Sequence, residues 1–77
     1  MISSYLYSQV NSDGGFKDRN GMSDLYYTYF GVMSLLLLKE RIPEKTIKFV
    51  ENYKKVDTFI DIVNLINLKS MLILKNN

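Results

Sequence analysis

Seventy-seven residues, 47% hydrophobic and 23% charged, make one domain at most, of a size at which a single core supplies only about 3–5 kcal/mol of net stability. The net charge is +2 with the lysines spread along the chain, which indicates no nucleic-acid partner, and the lack of Cys and His excludes disulfides and thiolate or imidazole metal sites. Only carboxylate and carbonyl oxygens remain as ligands, so neither a zinc centre nor any other cofactor is expected.

The first helix is expected over residues 2–9, ISSYLYSQ, where Ile2, Tyr5, Leu6 and Gln9 share one face at i, i+3, i+4 and i+7. This start has neither the basic residues nor the continuous apolar run of a signal peptide. Residues 10–22 collect the turn-forming types, Asn11, Ser12, Asp13, Gly14 and Gly15, then Asn20-Gly21, and read as a loop. Gly14 and Gly15 allow a sharp reversal, Asp13 can accept a hydrogen bond from its own turn, and Phe16 is free to drop into a seam. An ordinary turn explains Asp-Gly-Gly better than a ligand-contacting loop.

The strongest helix is 23–38, with Ser23 or Asp24 as its cap. Leu25, Tyr29, Val32, Met33 and Leu36 are expected on its inner face, while Tyr26, Phe30, Leu37 and Leu38 widen the apolar surface, so burial on more than one side follows. The uncharged run Leu25 to Leu38 is fourteen residues, short of the ~18–20 that cross a bilayer, so no membrane span is expected and the default setting is cytoplasmic. Gly31, costing about 1 kcal/mol against Ala within a helix, suggests a closely approaching neighbour helix.

Pro43 opens an outward helix at PEKTIKFVENYKKV, with Ile47 and Val50 on a narrow apolar edge and Lys45, Lys48 and Lys55 in solvent. Thr58 and Asp61 have the spacing of a capping box for a last helix running to about Lys75, apolar nearly all round. Asp57 and Asp61 lie one turn apart, yet capping accounts for them without an ion. A thin amphipathic helix followed by a fat apolar one thus occurs twice, as a repeat would have it: Tyr5-Leu6 overlies Phe49-Val50 at an offset of 44, and Asp24-Leu25 overlies Asp61-Ile62 at an offset of 37. The expected fold is all-α, a single helical-repeat domain over 1–77 with units 1–39 and 43–75 stacked as two hairpins.

Residues 9–38 resemble the repeat of protein prenyltransferase β subunits and terpene cyclases of the squalene-cyclase kind, through Gln9, Asp13, Gly14, Gly15, Phe16, Thr28, Tyr29 and Leu35. The resemblance implies a partial αα-toroid, in which inner helices surround an aromatic-lined cavity for an isoprenoid. It implies no catalytic residue here, since the Cys and His of the prenyltransferase zinc site and the Asp-x-Asp-Asp acid of the cyclases are absent. A closed toroid takes about five to seven units, so further repeats in trans or in cis are expected to complete it.

Tyr26, Tyr29 and Phe30 are the candidate ligand-contacting residues, whose rings can bury a prenyl tail or face a cationic centre. Core packing is the commoner use of such a stripe and is the favoured fate. Helices 23–38 and 59–75 should keep an apolar flank, giving self-association or a protein partner. The expected function is therefore an inactive toroid piece of an isoprenoid-binding protein, with a small helical-repeat interaction module as the alternative.

Overall fold

The computed structural model describes residues 2–76, with side chains as far as Leu74, so the expected domain limits at 1 and 77 lie outside it. The fold is all-α, with four helices and one short ribbon: α1 (Ile2–Ser8), β1 (Phe16–Lys17), β2 (Ser23–Asp24), α2 (Leu25–Leu37), α3 (Glu44–Glu51) and α4 (Phe59–Asn76). It measures 34 × 34 × 17 Å, no more than two helix layers deep, so every helix keeps a side toward solvent. Helix α4 packs chiefly on α2 and secondarily on α3, while α1 leans on α2.

The core is one cluster of Phe16, Leu25, Val32, Leu35, Ile42, Val50, Leu68 and Leu72. Its α2 members differ from expectation. Leu25, Thr28, Gly31, Val32 and Leu35 are buried, whereas Tyr29, Met33 and Leu36 are only half-buried, so the inner face is turned toward the Thr28–Gly31–Leu35 side. A helix apolar nearly all round gives periodicity no direction to choose, and the small residues decide where the ribbon can approach. Burial on several sides is likewise corrected: Tyr26, Phe30, Leu37 and Leu38 face solvent. Helix α1 has no buried residue, and of its expected face Ile2 and Tyr5 are exposed while Leu6 touches the core. Two long-range bonds hold it, from the Ser3 hydroxyl to Glu40 Oε2 at 2.7 Å and from the Tyr7 hydroxyl to the Arg41 carbonyl at 2.6 Å.

Helix ends follow local chemistry. Asp24 caps α2, its carboxylate accepting the Tyr27 N–H at 2.9 Å. The helix closes with Lys39 in the left-handed region (φ 58°), where the Lys39 N–H reaches the Leu36 carbonyl and the Glu40 N–H the Leu35 carbonyl, the paired bonds of a Schellman ending. Pro43 is the residue before α3 and not its first turn, and the helix stops at Glu51, short of the expected Val56. Tyr53 nevertheless packs on the core from the irregular segment that follows. At α4, the Thr58 hydroxyl accepts the Asp61 N–H at 3.1 Å, as a capping box requires, while the Asp61 carboxylate reaches back to the Asp57 N–H at 3.2 Å. The internal offset of 37 pairs the buried Leu35 with the buried Leu72 but the buried Leu25 with the exposed Ile62, and α2 and α4 do not begin in that register.

Candidate functional site

The loop before α2 is an ordered clamp. Strands β1 and β2 pair antiparallel, Phe16 opposite Asp24 and Lys17 opposite Ser23, and Val10 bridges to Phe16 on the other side. Asp13 accepts hydrogen bonds from the Gly15 N–H and the Ser23 hydroxyl, so its carboxylate is used inside the turn as expected. Gly14 has φ 96°, and a Cβ there would collide with the Lys45 carbonyl at the start of α3; one on Gly15 would meet Ser23 and the Phe49 ring. The glycine pair therefore lets the loop lie directly against α3, a closer demand than the reversal alone.

Phe16 and Thr28 fasten this clamp to α2. The buried Thr28 hydroxyl accepts the Phe16 N–H at 2.9 Å, pairing a buried backbone donor, and donates to the Asp24 carbonyl at 2.7 Å. The Phe16 ring covers Gly31 so closely that a Cβ there would overlap it. The close neighbour expected at Gly31 is thus an aromatic ring and not a helix.

Above the clamp, α1, β1 and α2 enclose a groove of about 420 Å³, lined among others by Tyr5, Phe16, Lys17, Arg19, Tyr27 and Phe30. Its volume lies within the roughly 300–1,000 Å³ of small-molecule sites. The lining combines aromatic faces with two cations. Asp18 also lines it, but one carboxylate oxygen already accepts the N–H groups of Asn20 and Met22.

Of the three candidate residues, only Phe30 reaches this groove. Tyr26 stacks edge-on against Phe30 with centroids 4.9 Å apart, and lines a separate cleft shared with Asp24, Tyr53, Asp57 and Asp61. Tyr29 turns inward against the core. The favoured fate of core packing therefore fits Tyr29 alone, since Tyr26 is 51% and Phe30 44% exposed. Tyr27 is less exposed than Tyr26 and lines the groove. Gln9 lines the groove too, and its carbonyl accepts the Lys17 N–H at 2.8 Å.

Lys17 and Arg19 were not expected as site residues; their place beside an Asn-Gly turn was the available signal, because such a turn folds its flanks back together. In the separate cleft, burial and then the carboxylates of Asp61, Asp24 and Asp57 hold the Tyr53 hydroxyl above its ordinary pKa near 10. Lys45, Lys48 and Lys55 are exposed as expected. Among the described residues no group of three or more acidic side chains is placed to hold a metal ion, and no helix is long and apolar enough to cross a membrane. Comparison with protein-family models, curated proteins and solved structures gives no match.

Proposed function

We propose that this chain is a helical-hairpin portion of an αα-toroid resembling those of prenyltransferases and terpene cyclases, cytoplasmic, lending an aromatic wall to an isoprenoid site and performing no catalytic step itself. The observation that supports this most is the groove between α1, β1 and α2, where Tyr5, Tyr27 and Phe30 meet Lys17 and Arg19. Aromatic faces bury a prenyl tail, and a lysine and an arginine suit the diphosphate that such a tail carries. Further repeats, in cis or in trans, would enclose the remaining sides of the ligand.

Titration with a labelled isoprenoid diphosphate tests the reading. Saturable binding is expected, weakened about tenfold or more, or roughly 1.4 kcal/mol, by Phe30→Ala and by the pair Lys17→Ala and Arg19→Ala. Phe30 is half-exposed, so its loss should leave the helical signal intact. The corresponding alcohol, lacking the diphosphate, should bind more weakly and with less dependence on salt. An affinity unchanged by both substitutions, or no saturable binding, would contradict the proposal.

A second reading, a helical interaction module, draws on one observation of its own: the solvent side of α4 carries an exposed apolar stripe of Phe59, Ile62, Val63, Ile66, Ile73 and Leu74. It predicts a stable protein complex without isoprenoid binding.

A further inference from the structure

Helix α4 has two apolar sides. Asn64, Leu68 and Leu72 are buried, with Leu65 and Met71 packed beside them. Advancing about 100° per residue, Phe59, Ile62, Val63, Ile66, Ile73 and Leu74 fall on the opposite side, and all are exposed. Small Ser70 is the polar residue within that stripe, and Asn67 and Lys69 stand at its margins. The stripe exposes on the order of 700 Å², comparable with the ~800 Å² that each partner contributes to a standard interface. A typical monomer leaves no more than about 300–600 Å² in its largest apolar patch.

The stripe also complements itself. A two-fold axis through Ile66 sets Phe59 of one copy level with Ile73 of the other, and Ile62 level with Ser70. Beside Ile73, between α3 and α4, lies a hollow of about 210 Å³ lined by Ile47, Val50, Leu72 and Ile73, room enough for a phenyl ring. Phe59, at 77% among the most exposed aromatic side chains described, is the ring that this register brings level with the hollow. A buried aromatic anchor in a partner's hollow is the usual centre of interface energy. Lys69 and Glu51 both border the same hollow.

We propose that two copies of this chain pair through antiparallel α4 helices, with Ile66 on the two-fold axis and each Phe59 seated in the other copy's α3–α4 hollow. The groove between α1, β1 and α2 takes no part, so this pairing stands or falls apart from the isoprenoid reading.

Equilibrium sedimentation of the whole chain should give a mass near twice 9.0 kDa. Ile66→Glu, which sets two carboxylates against each other at an exposed position, should return it to 9.0 kDa with its helical spectrum unchanged, and Phe59→Ala should raise the dissociation constant at least tenfold. Because the chain has no cysteine, Ile66→Cys reports the axis directly: it should oxidise to a covalent dimer at least ten times faster than Leu37→Cys on α2. A wild-type mass of 9.0 kDa throughout, a dimer indifferent to Ile66→Glu, or equal cross-linking at 37 and 66 would each overturn the proposal.

Discussion

Gly14→Ala should remove most of the stability of this chain while leaving a measurable unfolding transition. Two costs combine. The left-handed conformation at φ 96° penalises a Cβ by about 1–2 kcal/mol. The added methyl would also run into the Lys45 carbonyl, a backbone atom in the first turn of α3 that can yield only if the helix moves. Moving α3 disturbs Val50 and Ile47 in the core, so the total should exceed about 3 kcal/mol, most of what a domain of this size has. Gly21→Ala supplies the control: Gly21 has φ 82° but nothing within 4 Å of the added Cβ. It should cost about 1 kcal/mol, the conformational share alone. Urea unfolding of the two variants, compared by midpoint at equal slope, isolates the contact between loop and α3. Equal midpoints would mean that the loop does not rest on α3.

Leu68→Ala should be comparably damaging, at about 2–5 kcal/mol, because Leu68 is fully buried in the core cluster and its removal leaves a cavity between α4 and its neighbours. Leu37→Ala removes the same atoms from a site 77% exposed at the end of α2, and should shift stability by no more than about 0.5 kcal/mol. Thermal unfolding reads the contrast, since 1 kcal/mol moves the midpoint of a domain this small by about 4–8 °C. Similar losses for the two leucines would place the core elsewhere.

Both leucines sit in runs that periodicity alone could not orient. Nearly every position of α2 is apolar and α4 carries apolar residues on both its sides, so the sequence announces helices plainly and their inner faces poorly. What orients α2 is small and polar: Gly31 admits the Phe16 ring, and Thr28 takes the Phe16 N–H. Neither adds hydrophobicity, and each acts only once the loop has folded back. Caps were easier to read, because Asp24, Thr58 and Asp61 act within four residues of themselves. The ribbon Phe16–Lys17 with Ser23–Asp24 went unread because strands of two residues carry no alternation, although Asn20-Gly21 marked the turn between them.

The same difference runs through the site. Phe30 was legible as a candidate ligand-contacting ring on an aromatic stripe for which core packing was the favoured fate, and Tyr5, Lys17 and Arg19 join it only through tertiary contacts of the loop and α1. Tyr29, one residue from Phe30, is about 100° round the helix and falls to the core instead.

Hydrogen exchange at the Phe16 amide tests most directly the claim on which the groove depends, that residues 11–24 form a rigid clamp on α2. The amide lies in a chain segment with little regular structure, yet it donates to the fully buried Thr28 hydroxyl. The account predicts protection matching that of the Val32 and Leu35 amides within α2, opening only when the domain unfolds. Exchange at the rate of an open loop, with α2 still protected, would contradict it and remove the floor of the proposed site.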